Sequence, residues 1–213
     1  MGDPDTVVIS ISRQIACGGR LIAQSTARRL DYKYVDRDIL YEAARNLGVD
    51  AHDIFSMEEK SSSLFQNLLR SMSFGTPEAA YVVPSRRPVY DRDLFNAEAA
   101  VIRKLAWKHD AVILGRGGGQ VLGDHPGLVK IFLHAPERYR IMRLMSTKNV
   151  DSETAGQEVR ESDGNREKFM RDMTGIDWTD ARNYNLSIDT SVAGFKAAED
   201  MIIALVDARM RNL

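Results

Sequence analysis

The sequence predicts an α/β protein with a parallel β-sheet of about five strands and helices on both faces. Apolar, β-branched segments alternate along the chain with segments of helical periodicity, as expected when helices connect parallel strands. Successive residues of the strand-like segments are apolar, which indicates strands buried on both faces. The chain has 213 residues, of which 44% are hydrophobic, and this fits one domain with a sizeable core.

The first part of the chain supplies two strands, each followed by a helix. The strand "TVVISIS", 6–12, precedes the helix "GRLIAQSTARRL" at 19–30. The short strand "YKYVD", 32–36, precedes a helix at 37–48. Residues 51–92 combine helical spacing with a stretch that holds three prolines, and we interpret them as an insertion. Such an insertion is either a functional segment or an ordinary surface excursion.

The pattern of strands and helices returns after this insertion. The predicted elements are a helix at 94–109, strands at 110–115 and 128–135, helices at 136–146 and 151–173, a strand at 184–191 and a helix at 193–210. Ligands of parallel sheets bind beyond the carboxyl ends of the strands. A site is therefore expected at residues 12–20, at residues 115–119 and at the end of "SIDTS".

The charge and composition exclude several classes of protein. The formal net charge is −1, so broad electrostatic attraction to nucleic acid or to an anionic membrane is not expected. The single cysteine, Cys17, cannot form an internal disulfide and is interpreted as a small loop residue. The first residues lack a basic region, and no apolar run reaches membrane-spanning length. We expect a cytoplasmic protein that binds a small molecule, with an oligomeric state that the sequence leaves open.

The segment "SRQIACGGRLIA" has several parts of a phosphate-binding loop. Gly18 and Gly19 free the backbone at a helix start, where N–H groups and the helix dipole favour an anion. Arg13 and Arg20 supply positive charge. The pattern G-x-x-x-x-G-K-[ST] is not matched, because lysine is absent and Leu21 takes the place of the hydroxyl residue. Alone, the segment is better explained as a tight turn between a strand and a helix.

A second glycine-rich segment, "GRGGGQVLG", directly follows the strand at 110–115. It does not match the dinucleotide fingerprint G-x-G-x-x-G, since Gln120 and Leu122 stand where the last glycine is needed. Arg116 comes immediately after the strand and is expected at the ligand edge of the sheet. A guanidinium at that edge suits a phosphate better than it suits packing.

Two predicted helices carry arginines at helical spacing. Arg140 and Arg143 share one helix face, and Arg160, Asp163 and Arg166 follow one another at three-residue intervals. Any one of these arginines is typical of a solvated, salt-bridged helix. Together with the loop arginines at one edge of the sheet, they favour a set of cations that clamps a phosphoryl group during transfer.

Four segments match a known pattern in order along the chain. They are "VVISISRQIACGGRLIAQSTARRLDYKYVDRDIL", "VILGRGGGQVL", "VKIFLHAPERYRIMRLM" and "DWTDARNYNLSIDTS". These segments resemble the cytidylate kinase-like family of nucleoside monophosphate kinases, and the resemblance is weakest over 51–92. It implies a P-loop kinase-like three-layer fold in a single domain, 1–213. Within that domain it implies a substrate-binding segment at 51–92 and a helical lid at 146–175.

The resemblance also implies an activity and a set of site residues. The implied reaction transfers the γ-phosphoryl group of ATP to CMP or dCMP in the presence of Mg²⁺, giving CDP or dCDP. The residues expected to bind ATP are Arg13, Gly18, Gly19, Arg20 and Arg143. Those expected to bind the acceptor are Asp36, Arg116, Asp163 and Arg166. The expected catalytic cations are Arg20, Arg160 and Arg166, and no residue is assigned as a metal ligand.

Three departures from the family pattern keep other functions open. Ala16 replaces a glycine of the loop, the lysine of true cytidylate kinases is absent, and Gly117 stands where those enzymes carry an aspartate after Arg116. The missing lysine and hydroxyl allow a nucleotide-binding regulator that has lost catalysis. Gly117 and the insertion at 51–92 allow a kinase that acts on another small acceptor.

Overall fold

A computed structural model describes residues 6–36 and 92–211 of the chain. Five strands form one sheet, namely β1 Val8–Arg13, β2 Lys33–Val35, β3 Ala111–Leu114, β4 Leu128–His134 and β5 Leu186–Asp189. Their order across the sheet is β2–β3–β1–β4–β5, and every neighbouring pair is parallel. The predicted α/β class with a five-stranded parallel sheet is therefore confirmed.

Six helices occur within the described residues. They are α1 Gly19–Leu30, α2 Arg92–Ala106, α3 Gly118–Val121, α4 Glu137–Lys148, α5 Ser152–Thr174 and α6 Thr190–Met210. None of these helices is both long and apolar enough to cross a membrane. The helix predicted at 37–48 and almost all of the insertion at 51–92 lie outside the described residues, so these predictions stay untested.

The sheet is covered on both faces, because its strands carry apolar side chains on both. On one face, α1 and α6 pack against the sheet, and Ile22 and Ile202 join the cluster that holds Ile9. On the other face, α2 and the last turns of α5 cover the sheet, with Ile102 and Phe169 in the second cluster. This three-layer arrangement is what continuous apolar strands require.

Some element boundaries differ from the predicted ones for local reasons. The last strand ends at Asp189 rather than 191, because the Asp189 carboxylate accepts the N–H of Ser191 at 2.9 Å and caps α6. The closing helix consequently begins at Thr190, and Gly194 with φ 72° interrupts it where the sequence predicted its start. The short helix α3 was not predicted, since its residues form the end of a glycine run.

Candidate functional site

The carboxyl ends of all five strands lie at one edge of the sheet, because the strands are parallel. The loop at 14–18 leaves β1, the turn at 115–117 leaves β3, and Asp36 follows β2. The sequence placed its candidate site at the same edge.

The loop at 14–18, called the β1 loop below, is anchored to the end of β4. The N–H of Gln14 donates to the Leu133 carbonyl at 3.0 Å, and the Gln14 side chain accepts the N–H of Ala135 at 3.2 Å. Gly18 is the N-cap residue of α1 and has φ 84°, a value that glycine adopts without strain. Ala16 has φ 59°, so the residue that replaces the family glycine keeps a left-handed conformation at some cost.

The Arg13 side chain explains why glycine is needed at positions 19 and 115. A Cβ at position 19 would lie 2.8 Å from Cβ and Cγ of Arg13, and a Cβ at Gly115 would collide with the Arg13 guanidinium. One arginine side chain therefore fills the space that both glycines leave between the two glycine-rich segments. Loss of water around Arg13, followed by repulsion from Arg166, lowers its pKa to about 10. At neutral pH the guanidinium still carries its charge.

Asp163 connects α5 to the β1 loop. Its Oδ1 accepts the N–H of Ile15 at 3.0 Å, and its Oδ2 lies 2.5 Å from Nη1 of Arg140. Nη1 of Arg166 lies 3.3 Å from Oδ1 of the same carboxylate. Arg140 is buried, and its Nε donates to the Ala135 carbonyl at 2.8 Å. We call the group of Arg13, Arg140, Asp163 and Arg166 the loop cluster.

Positive charge is in excess within the loop cluster. Arg140 and Arg166 contact its one carboxylate, Asp163, and the guanidinium of Arg13 adds a third positive charge that repels Arg166. Loss of water lowers the pKa of Arg166 although Asp163 acts to raise it. Guanidiniums held together with restricted access to water are stabilised by an anion. The cluster thus has the charge and the donors of a phosphate site.

Arg20 and Asp36 form an ion pair beside this cluster. Arg20 Nη2 lies 3.2 Å from Oδ2 of Asp36, and the Tyr34 hydroxyl donates to the same oxygen at 2.9 Å. Burial and the nearby Asp36 carboxylate raise the pKa of Tyr34, so its hydroxyl stays protonated as a donor. The resemblance assigns Arg20 to ATP and Asp36 to the acceptor, and the structure brings these two residues together.

Arg116 lies in a tight turn and pairs with a carboxylate that the sequence did not reveal. Its φ is 57°, between Gly115 at 81° and Gly117 at 64°, and the N–H of Gly118 donates to the Gly115 carbonyl at 3.1 Å. The guanidinium forms an ion pair with Glu98 of α2, which is 1% exposed. A left-handed arginine costs conformational energy, and such strain clusters at functional sites.

Phe169 of α5 also contacts Arg116, whose Cζ lies 5.0 Å from the ring centroid. The sequence indicated no role for Glu98, and it placed Arg140 among the clustered arginines without assigning it a ligand. A signal existed for Glu98, since it is a charged residue among the apolar positions Phe95, Ala99 and Ile102 of its helix. Its partner Arg116 is distant in sequence and could not be inferred from that spacing.

Arg143 of α4 and Arg160 of α5 contact residues outside the loop cluster. Arg143 stacks on Phe195, with 4.5 Å between its Cζ and the ring centroid, and Phe195 packs on Gly18. Arg160 pairs with Glu137 at 3.3 Å on an exposed surface. The structure therefore brings Arg13, Asp163 and Arg166 together with Arg140. The roles proposed for Arg143 and Arg160 stay predictions.

The family model of the cytidylate kinase-like family matches residues 8–192. The chain belongs to the cytidylate kinase-like family. The resemblance inferred from the four motifs is thus confirmed, and membership supports a phosphotransfer function. A comparison with curated proteins finds no match.

Solved structures confirm the fold of this cytidylate kinase-like chain. An uncharacterized protein from Eubacterium ventriosum ATCC 27560 is 21% identical, with a TM-score of 0.69 over 95% of this chain and 99% of that one. Shikimate kinase from Bacteroides thetaiotaomicron is 10% identical, with a TM-score of 0.53 over 94% and 98% of the two chains. A gluconokinase from Sinorhizobium meliloti 1021 is 13% identical, with a TM-score of 0.52 over 96% and 95%.

Proposed function

We propose that this cytidylate kinase-like protein transfers the γ-phosphoryl group of ATP to a nucleoside monophosphate, with CMP or dCMP as the first acceptors to test. The observation that carries the proposal is the excess of positive charge in the loop cluster. In phosphoryl transfer, negative charge is spread over phosphate oxygens, and cations in fixed positions stabilise it. The guanidiniums of Arg13 in β1, Arg140 in α4 and Arg166 in α5 would supply those cations.

Phosphate groups fit the β1 loop because the loop already binds an anionic group. The Asp163 carboxylate accepts a loop N–H from Ile15 and contacts two guanidiniums. The loop also leads into the N-terminus of α1, where backbone dipoles favour negative charge. Gly18, Gly19 and Arg20 lie at this helix start and are the proposed contacts of the ATP phosphates.

Mg²⁺ would be held mainly through the phosphates. Within residues 6–36 and 92–211, no group of three or more His, Cys, Asp or Glu side chains could bind a metal. Leu21 occupies the first turn of α1, where a hydroxyl would otherwise be available to the ion. Magnesium commonly takes one or two protein carboxylates besides substrate phosphates and water. When bound, the ion would neutralise charge on the transferred group.

The acceptor would bind near Arg116 and Asp36, where β3 and β2 end. Arg116 is held by Glu98 and Phe169, which restrict the orientation of its guanidinium. An arginine oriented in this way can donate two parallel hydrogen bonds to the oxygens of a phosphate. Arg166 would lie between this acceptor phosphate and the β1 loop, since it contacts Asp163 and repels Arg13.

A second candidate function is phosphoryl transfer to a small acceptor that is not a nucleotide. Gly117, which stands where true cytidylate kinases have an aspartate, has φ 64°, and a Cβ there would lie 3.2 Å from Thr174. An aspartate would therefore be strained in this turn, so the residue expected for cytosine nucleotides has no ready place here. Two proteins of similar fold are named shikimate kinase and gluconokinase.

An ADP-release assay with several acceptors tests both functions. The full-length chain with ATP and Mg²⁺ is assayed with CMP, dCMP, UMP, AMP, shikimate and gluconate, and a reaction without acceptor gives the ATP hydrolysis background. We expect turnover with CMP or dCMP, on the order of the 1–100 s⁻¹ typical of kinases. Turnover with shikimate or gluconate alone would favour the second function. Absence of turnover with every acceptor would contradict both, and ATP binding would then indicate a nucleotide-binding regulator.

A further inference from the structure

The Asp163 carboxylate is surrounded by hydrogen-bond donors of the kinds that bind phosphoryl groups. It accepts the N–H of Ile15 at 3.0 Å, and the guanidiniums of Arg140 and Arg166 lie 2.5 and 3.3 Å from its oxygens. Backbone N–H groups of a loop and arginine guanidiniums are the groups with which proteins hold phosphate oxygens. The carboxylate is therefore bound as an anionic ligand would be.

The contact between Asp163 and the β1 loop is held by Arg140 of α4 and by the apolar packing of the loop. Arg140 is buried and tied to the end of β4 through the Ala135 carbonyl, so its guanidinium cannot follow a moving carboxylate freely. Ile15 and Ala16 pack against the apolar cluster between α4 and α5. The β1 loop and α5 thus hold each other, and Asp163 is the charged part of their interface.

We propose that Asp163 is an internal substitute for a phosphoryl group, and that a phosphate of the bound ligand displaces its carboxylate from Ile15, Arg140 and Arg166. The proposal rests on the proposed function of the β1 loop as a phosphate site. It adds Arg140 as a ligand-binding residue and Asp163 as a competitor of the ligand. Two anions cannot share these donors at contact distance, because like charges repel strongly where water is restricted.

Displacement of the Asp163 carboxylate would also affect binding of the acceptor. The resemblance assigns Asp163 to the acceptor nucleotide, whereas the structure places its carboxylate on the β1 loop. A phosphate at the loop would release Asp163 for the acceptor role and loosen α5 at the same moment. Binding of ATP would in this way prepare the second substrate site.

The variants Asp163→Asn and Asp172→Asn test the competition. Both remove one negative charge from α5, but Asp172 is paired with Lys168 at 2.6 Å on the exposed surface, so its variant is the matched control. Calorimetric titration of the full-length chain with inorganic phosphate and with pyrophosphate measures the affinity. We expect Asp163→Asn to bind either anion about tenfold more tightly than the parent, because a like charge has been removed. Asp172→Asn should match the parent.

Equal or weaker binding by Asp163→Asn would overturn the proposal, since a purely structural ion pair predicts that result. Should this variant fail to fold, a crystal structure of the parent chain at saturating phosphate decides the question. A phosphate oxygen on the Ile15 N–H with Asp163 withdrawn supports displacement, and Asp163 still on that N–H overturns it. These measurements involve no turnover, so a failure of the proposed kinase activity leaves them interpretable.

Discussion

Arg13 places a guanidinium beside the β1 loop, which has no lysine. A lysine that loses contact with water readily gives up its proton, whereas a guanidinium keeps its charge. Loss of water lowers the pKa of Arg13 only to about 10, so the charge persists at neutral pH. The side chain runs beneath Gly19 and beside Gly115, and both glycines are needed for that path. We therefore propose that Arg13, at the end of β1, supplies the cation that the sequence pattern lacks.

Exchanging Arg20 or Arg116 for alanine should separate the two substrate sites. Arg20→Ala is expected to raise KM for ATP, and Arg116→Ala to raise KM for the acceptor, each by roughly 10- to 100-fold, since one charge-assisted contact is lost. Steady-state kinetics with each substrate varied in turn measures both constants. Arg28→Ala, on the exposed side of α1, is the control and should match the parent.

Two outcomes would contradict these assignments. If Arg116→Ala changed only the affinity for ATP, Arg116 would belong to the ATP site. If Arg20→Ala affected the acceptor more than ATP, Arg20 would act with its partner Asp36, which lies 3.2 Å away. The control variant shows that removing a positive charge from the surface does not by itself produce either result.

At the scale of elements, α5 connects both proposed sites. Asp163, Arg166 and Phe169 recur every three residues on one helix face, and they contact the β1 loop, the loop cluster and Arg116 in that order. A shift of this one helix would therefore change both sites together. The lid predicted at 146–175 includes this helix and stays a prediction.

The glycines Gly19 and Gly164 should respond in opposite ways to alanine. At Gly19 the new Cβ would lie 2.8 Å from the root of the Arg13 side chain, which cannot move without its strand. At Gly164, within α5, a Cβ meets nothing within 4 Å among the described residues. We expect Gly19→Ala to lower the free energy of unfolding by about 1–3 kcal/mol. Gly164→Ala should raise it by roughly 0.5–1 kcal/mol, because alanine favours the helix.

Urea unfolding of the two variants and the parent measures these changes. Gly19→Ala as stable as the parent would mean that Arg13 can take another path, and the explanation for Gly19 would be wrong. Gly164→Ala is the matched control for Gly19→Ala, because each variant adds one methyl group to a helix. Gly19 is the first residue of α1, and Gly164 lies inside α5.

The elements that the sequence predicted well are those set by local periodicity. Continuous apolar runs predicted the strands. The ends of those runs predicted the edge of the sheet at which Arg116 lies. Spacing also placed Asp163 and Arg166 on one helix face. What that face contacts depends on tertiary packing, so the bond from Ile15 to Asp163 could not be predicted. The same holds for Glu98, whose ion pair with Arg116 depends on tertiary packing.

At the scale of the whole molecule, the fold concentrates positive charge at one edge of the parallel sheet, although the chain as a whole is nearly neutral. The chain has a formal net charge of −1, yet guanidiniums outnumber carboxylates in the loop cluster. Three segments distant in sequence, namely the end of β1 with the β1 loop, α4 and α5, converge there at the carboxyl edge of the parallel sheet. Folding therefore concentrates repulsion at this edge, and an anion that binds the native state should stabilise the entire domain.

Thermal unfolding with ATP tests this stabilisation. At a ligand concentration about 100 times Kd, native-state binding adds about 2.7 kcal/mol, which corresponds to a rise in Tm of roughly 5–10 °C for a domain of this size. Adenosine, which lacks phosphates, is the control, and potassium chloride at matched ionic strength corrects for screening. We expect ATP and pyrophosphate to raise Tm and adenosine to have little effect. Equal stabilisation by adenosine and ATP would mean that the loop cluster does not anchor the ligand. No stabilisation by any nucleotide would contradict both the kinase and the nucleotide-binding regulator.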